Sequence, residues 1–403
     1  MIERVAFLSM HTSPLLQPGS ENAGGMNVYL HELGRTLVER GVDVTMFTRA
    51  DEPELAGEVT SSAGYLVVHI TAGPERLVSV ADLSAYVAEF GEGVVTWSYG
   101  AQPGFDLVHS HYWLSGWAGV LVKEALDIPL ANSFHTLGRV KDRDRRSDEP
   151  ASSDLRLLTE EEVIAQSDCV IASTPYEFND LLVHYRAAPE RLCISPPGVD
   201  HDVFSPGSSE EARSWLGLPD GPLILFVGRI QAHKGIDVAI RALPRVTDPR
   251  ATLLVVGGPS GPNGRADYDD ATSLCDELGV TDRVHFVPPQ PHTQLAGFYR
   301  AADVLVMPSR SESFGLVAAE AQACGLPVVA ARVGGLPAVV ADGESGVLIE
   351  GHDPGDFATV LSAVLGDSGF AGRLSAGAVD FASRFSWEAT TDRFLELYAG
   401  ITG

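Results

Sequence analysis

Two glutamates stand eight residues apart near the end of the chain, Glu312 and Glu320, within PSRSESFGLVAAEAQACGLPVVA. A strand-like apolar stretch, VLVMPS, ends just before them, and Phe314 and Gly315 mark the start of a helix. Glu312 then precedes the helix, and Glu320 lies about one and a half turns inside it. Backbone N–H groups at such a helix start would face an anion, while the carboxylates accept hydrogen bonds from hydroxyl groups. Glu320 sits among Val317, Ala318, Ala319 and Ala321, where a carboxylate is costly to bury without a polar partner. Capping of the helix by Glu312 is the structural alternative, but it leaves Glu320 unexplained. Upstream, the apolar run LILFVG leads into Arg229 and then Lys234 in GRIQAHKG. Two cations just past a strand end, near a helix N-terminus, can neutralise a diphosphate. Taken alone, they fit a solvated cationic loop equally well.

The first half has its own cluster. Gly24-Gly25 directly before a helical pattern lets backbone amides approach an anion, although a glycine pair by itself more often marks a flexible loop. His109, His111, Tyr112 and Trp113 close one strand-like run, and Phe134, His135 and Thr136 close the next. Imidazole and aromatic groups at consecutive strand ends suit hydroxyl recognition better than packing. His109 and His111 share a strand face, so their spacing admits a metal, but no nearby carboxylate or cysteine completes a ligand set. The basic run Arg139, Lys141, Arg143, Arg145 and Arg146 can serve a phosphorylated ligand or form a surface loop.

These residues need elements to hold them. Seven short apolar runs occur in the first half (VAFLSM, VDVTMF, LVVHI, DLVHSH, PLANSF, CVIAST, RLCISP). Six follow in the second (LILFVG, TLLVVGG, VHFVP, VLVMPS, PVVAA, GVLIE). Amphipathic stretches separate them, such as Met26, Leu30, Leu33 and Leu37, ended by Gly41. Continuous Val/Ile/Leu strands alternating with helices mean parallel sheets covered on both faces, here an α/β chain with two doubly wound, Rossmann-like domains. In such sheets ligands bind beyond the carboxyl ends of the strands, where every residue above stands. The expected division is 1–200 and 201–385, joined near Pro196-Pro197-Gly198-Val199-Asp200, with Pro206 to Pro222 as a second boundary candidate. Residues 386–403 read as one helix with Ser386 at its N-cap.

Composition narrows the function classes. The 403 residues carry 28 Lys+Arg against 54 Asp+Glu, a net charge of −26, which excludes a nucleic-acid binder that must match a phosphate backbone. The start MIERVAFLSM runs straight into a strand without a basic leader, and no apolar stretch is long enough to span a bilayer, so a cytoplasmic chain is expected. Cys169, Cys193, Cys275 and Cys324 are widely spaced within apolar runs and read as buried reduced thiols.

In chain order, GGMNVYLHELG, HSHYWLSGWAG, SFHTLGRVK, PPGVDHDVF, FVGRIQAHKG and the Glu312–Glu320 segment resemble the retaining family-4 glycosyltransferases, from the first strand to about residue 355. Within that family the motifs are most like the branch acting on inositol phosphate, with sucrose-phosphate synthases next. The resemblance implies a GT-B architecture, two Rossmann-like domains facing a cleft, the second binding a nucleotide diphosphate sugar with UDP favoured. It implies that Arg229 and Lys234 hold the donor diphosphate, with an amide from Gly25. Glu320 would bind the ribose, and Glu312 the transferred sugar alongside amides of Phe314, Gly315 and Leu316. His135 would lie near the anomeric region, and Asn27, Tyr112, Thr136 and Arg156 would border a small, phosphorylated polyol or sugar acceptor. No metal and no cofactor is implied; an oligomer is compatible. Retention follows a front-face route, in which the leaving phosphate oxygen takes the acceptor proton, and covalent catalysis by Glu312 is the alternative. Members acting on inositol phosphate carry a lysine after a Gly-Pro segment, whereas here Gly73-Pro74 is followed by Val80 with no lysine through Ser84. Rival readings are a sucrose-phosphate-synthase-like enzyme and a non-catalytic sugar-nucleotide sensor. A phosphorylase would need a second lysine to hold pyridoxal phosphate, and Lys234 is the only lysine beyond residue 200.

Overall fold

All thirteen apolar runs form strands in the computed structural model, which describes residues 2–17, 23–145, 150–218, 221–260 and 264–403. Arg146 of the basic run lies outside the described residues, as do 18–22 before the glycine pair and 219–220 of the second boundary candidate. The chain divides into two units: Met1–Leu16, Met26–Pro196 and Trp387–Gly403 form the first, and Gln17–Gly25 with Pro197–Ser386 the second.

Unit 1 is built on β1 (Arg4–Leu8), β2 (Asp43–Arg49), β3 (Glu58–Thr60), β4 (Leu66–Ile70), β5 (Leu107–His111), β6 (Leu130–Ser133), β7 (Cys169–Ala172) and β8 (Leu192–Ile194). The sheet order is β3-β4-β2-β1-β5-β6-β7-β8, parallel except where β3 runs antiparallel to β4. β3 escapes a reading of periodicity because its three residues, one of them charged and exposed, bury no face. Unit 2 carries β9 (Leu223–Val227), β10 (Thr252–Val256), β11 (Val284–Val287), β12 (Val304–Met307), β13 (Val328–Ala331) and β14 (Gly346–Ile349), in the wholly parallel order β11-β10-β9-β12-β13-β14.

The strand period of two explains why the runs are continuously apolar. In β9, Leu223 and Leu225 enter one core while Ile224 and Phe226 enter the other; β10 and β12 split in the same way, Leu254 and Leu305 against Leu253 and Val304. A sheet with a core on each face has no wet side.

The tail helix, Trp387–Thr402, belongs to unit 1. Trp387, Phe394 and Tyr398 are fully buried there. Thr390 donates to the Pro196 carbonyl at 2.8 Å, Arg393 to that of Ile194 at 2.7 Å, and Arg40 pairs with Asp392 at 2.7 Å. Phe394 stacks on His109 at 5.4 Å, and the Tyr398 hydroxyl meets His109 Nδ1 at 2.7 Å. Phe394→Ala is therefore expected to lower stability by about 3–5 kcal/mol through the cavity it leaves, read as a drop in the urea midpoint. An unchanged midpoint would mean that the tail is not part of the unit 1 core. Among the described residues, no helix is long and apolar enough to cross a membrane.

Candidate active site

The singled-out residues fall into two groups, one in each unit. In unit 2, β9 ends at Val227, and Arg229 follows within two residues. Lys234 closes a short 3-10 turn, Ala232–Lys234, and Gly235 then turns the chain with φ +71°. A Cβ at Gly235 would lie 2.0 Å from the Pro308 carbonyl oxygen, so glycine is needed to bring the cation loop against the chain leaving β12. Beyond Pro308, Gly315 adopts φ +105° and opens the helix Leu316–Ala323. The helix thus begins one residue later than its sequence signature suggests, because Gly315 is the cap.

Glu312 does not cap that helix. Its Oε2 accepts from Lys234 Nζ at 2.7 Å, and its carbonyl accepts from Gly335 N at 2.8 Å. Burial holds the Arg229 guanidinium below its usual range, partly offset by the nearby Glu312 charge. Arg229, Lys234 and Glu312 thus form one charged cluster. Gly24 and Gly25 belong to the same unit, where a Cβ on each would lie 3.5 Å from Arg229 Nε and from Leu316 Cδ1 respectively. Gly24 stands beside this cluster and Gly25 beside the first residue of the helix, each with ordinary contact space. Ala318 N and Ala319 N both donate to the carbonyl of the cap Gly315, at 2.9 and 3.1 Å, and this end of the helix carries its positive dipole.

Glu320 is buried, and the polar partners it requires are His292, 2.7 Å from its Oε1, and Tyr299, whose hydroxyl donates to Oε2 at 2.9 Å. Burial, and then Glu320 itself, raise the Tyr299 hydroxyl above its usual range, so it remains a donor. No motif in the sequence links Tyr299 to Glu320. One turns up on the helix Leu295–Ala301 and the other on Leu316–Ala323, and only their packing joins them.

In unit 1 the backbone marks the site. Four non-glycine residues among those described have positive φ. Asp127 and Arg186 end helices, where that conformation is ordinary, whereas Tyr112 (φ 78°) and His135 (φ 60°) sit at the ends of β5 and β6. Each such residue costs about 1–3 kcal/mol unless its surroundings hold it. His111 Nδ1 lies 3.0 Å from His135 Nε2, and the rings of His11 and Tyr112 are 4.5 Å apart. Arg156 is directed by Glu160, a fully buried carboxylate that accepts from Arg156 Nε at 2.7 Å, from Gly138 N at 3.0 and 2.9 Å, and from the Tyr185 hydroxyl. The rest of the guanidinium meets the Thr136 carbonyl at 3.0 Å, its hydroxyl at 3.2 Å, and the Tyr112 hydroxyl at 3.4 Å. Burial would lower the Arg156 pKa, but Tyr112, Glu160 and Tyr185 together raise it, and the cation is secure.

Asn27 is buried and donates to Thr12 Oγ1 at 2.8 Å and to the Ser13 carbonyl at 2.7 Å, anchoring the loop after β1. Arg139, Lys141 and Arg143 of the basic run lie on the helix Gly138–Asp144, in which Arg139 bonds Glu161 and the His184 carbonyl, and Arg143 pairs with Asp180 at 2.9 Å. Those two arginines therefore join neighbouring helices. Arg49, at the end of β2, is buried and donates to the carbonyls of Pro74 (2.7 Å), Arg76 (2.6 Å) and Ala50 (2.9 Å), which fixes the Gly73-Pro74 segment. Only its position after an apolar run could have pointed to it.

His109 and His111 are fully buried and His135 is half-buried beside them, and desolvation is the main cause that lowers all three; His135 falls to about 3, with His11 adding to the effect. Folded, these rings stay neutral, whereas the unfolded chain protonates near pH 6.5. For His135, stability is therefore full above about pH 6.5 and is lost between there and about pH 3, at up to about 1.4 kcal/mol per pH unit, and His109 and His111 act in the same direction. The urea midpoint should fall from pH 7.5 to pH 5, and His135→Gln should flatten that slope. A midpoint independent of pH would contradict neutral burial.

Comparison with known proteins gives the site its context. Residues 24–198 match the glycosyl transferase 4-like domain, and residues 208–379 match glycosyl transferases group 1. The D-inositol 3-phosphate glycosyltransferase of Streptosporangium roseum is 46% identical, covering 99% of this chain and 93% of its own. That of Mycolicibacterium smegmatis is also 46% identical, covering 98% and 91%. Sucrose-phosphate synthase from Thermosynechococcus elongatus superposes with a TM-score of 0.92 at 33% identity, covering 99% and 98%. The architecture, two Rossmann-like units with parallel sheets, is that of a GT-B enzyme. The chain belongs to the family-4 glycosyltransferases, alongside the D-inositol 3-phosphate glycosyltransferases.

Proposed function

We propose that this glycosyltransferase moves a hexosyl or N-acetylhexosaminyl group from a UDP-sugar to an inositol phosphate or a closely related phosphorylated polyol, with retention at the anomeric carbon. The observation that carries the acceptor class is Arg156, held by the buried Glu160 and flanked by the Tyr112 and Thr136 hydroxyls. A guanidinium fork with two adjacent hydroxyls is a set of donors suited to a phosphate monoester. The relatives named for D-inositol 3-phosphate favour the same class. Without the lysine after Gly73-Pro74, acceptor phosphate binding would rest chiefly on these three residues.

On the donor side, Arg229 and Lys234 would hold the diphosphate and take up the charge that builds on it as the glycosidic bond breaks. Glu320, kept in one orientation by His292 and Tyr299, would accept from the ribose hydroxyls. Glu312 would bind the transferred sugar. Its ion pair with Lys234 makes it a poor nucleophile and favours the front-face route, with the leaving phosphate oxygen accepting the acceptor proton. His135, neutral by burial, would face the sugar as a hydrogen-bonding group rather than a cation.

The test crosses UDP-, GDP- and ADP-sugars with inositol 3-phosphate, free inositol and hexose phosphates, following nucleotide release and the anomeric configuration of the product by NMR. Fastest turnover of a UDP-sugar with the inositol phosphate, slow turnover with free inositol, an α-linked product and an unchanged rate in EDTA are expected. Preference for fructose 6-phosphate would move the chain to the sucrose-phosphate-synthase-like reading. Donor binding without turnover on any acceptor would favour a sensor.

A further inference from the structure

Unit 1 holds a thiol pair that plays no part in the chemistry above. Cys169 opens β7 and Cys193 is the middle residue of β8, and the two strands pair in parallel with Ile171 opposite Cys193. Cys169 and Ile171 are two residues apart and point to the same face, so Cys169 and Cys193 are diagonal neighbours on one side of the sheet. Their sulfurs lie 2.9 Å apart, and both cysteines are free thiols. Cys169 is buried, and Cys193 is only partly so. β8 is the sheet's edge strand, three residues long, and leads to Pro196, where the chain leaves unit 1.

We infer that Cys169 and Cys193 form a reversible oxidation site, a dithiol that a hydroperoxide converts into a disulfide stapling edge strand β8 to β7. The partly exposed Cys193 is the attacking sulfur. The Cys169 thiol donates to it and Arg393 lies close by, and these lower its pKa to about 7, while the same bond and burial raise that of Cys169. The Cys193 thiolate attacks the peroxide oxygen and the O–O bond breaks. This leaves a sulfenic acid on Cys193, and an alkoxide or hydroxide that takes a proton. Cys169 sulfur then attacks Cys193 sulfur, the S–O bond breaks, and hydroxide leaves as water with the Cys169 proton. Two thiols lose two electrons in all, and the peroxide is reduced to an alcohol (or water) and water. Cys275 and Cys324 lie in unit 2, in a different core from this pair and from each other, and have no such neighbour to resolve a sulfenic acid.

The experiment uses the full chain, wild type and Cys275→Ser/Cys324→Ser, treated with hydrogen peroxide and then mapped by peptide mass spectrometry without reduction. A peptide cross-link joining Cys169 to Cys193, loss of two free thiols and recovery of both with dithiothreitol are expected. In Cys169→Ser the sulfenic acid on Cys193 should persist and be trapped by dimedone, and the half-maximal pH for Cys193 alkylation should move up from about 7. Absence of the cross-link in the Cys275→Ser/Cys324→Ser chain would overturn the proposal. So would Cys193 alkylation that is indifferent to Cys169. Because the readout is the bond itself, neither result depends on the sugar acceptor or on turnover.

Discussion

Replacing Lys234 with alanine is expected to cut kcat by about 10³-fold while the fold is kept, the scale seen when one preorganised charge-stabilising group is removed. Lys234 is the only lysine beyond residue 200, and it sits at the end of a 3-10 turn held in place by the close approach of Gly235 to Pro308. Two effects should add. The cation that would meet the developing diphosphate charge is gone, and Glu312 loses its partner at 2.7 Å. A bare carboxylate beside a diphosphate repels it, so donor KM should also rise. Adding Glu312→Gln to Lys234→Ala should recover part of the donor KM but little of kcat, a coupling that a double-mutant cycle separates. Circular dichroism and the thermal midpoint should change little, since both side chains keep some solvent access. Near-normal turnover in Lys234→Ala would sink the donor assignment.

Arg156→Lys should raise the KM for a phosphorylated acceptor by about 10–100-fold and leave the KM for the donor unchanged. Lysine keeps the charge opposite Glu160 but loses the fork that reaches Thr136 and Tyr112 together. Alanine is the poorer test. It would strand Glu160, which is fully buried, and breaking a buried pair from one side typically costs about 3–5 kcal/mol. Tyr112→Phe and Thr136→Val remove one hydroxyl each with little change in shape and should each give a smaller rise of the same kind. Kinetics with free inositol as acceptor provide the control, because a phosphate-binding role predicts that none of the three changes matters there. Equal losses for phosphorylated and free acceptors would assign Arg156 to the fold alone.

The residues proposed for the donor could be located in the sequence because they are carried on short continuous segments. Arg229 and Lys234 follow one apolar run, and Glu312 to Glu320 follow another, so strand ends could be located from hydrophobicity and the polar residues read off behind them. The backbone conformations were not legible. Nothing in HSHYWLSGWAG or SFHTLGRVK announces that Tyr112 and His135 take positive φ, which is uncommon for any residue other than glycine. The basic run stayed open between a phosphorylated ligand and a surface loop for a related reason: five cations within eight positions can be assigned only when their partners are known, and Glu161 and Asp180, which hold two of them, lie on other helices.

By itself the sequence determined the parallel α/β class, the strand ends at which polar residues gather, and the charged groups available to a diphosphate. Periodicity and composition act along the chain, and those properties are local. Tertiary structure alone decided the partners: His292 and Tyr299 for Glu320, Glu160 for Arg156, Arg49 for the Pro74 segment, and Cys169 for Cys193. The first members of this set are buried polar groups, which must find hydrogen-bond partners wherever packing brings donor and acceptor together. That meeting is fixed by the order of strands and the faces of helices, which no spacing along the chain records.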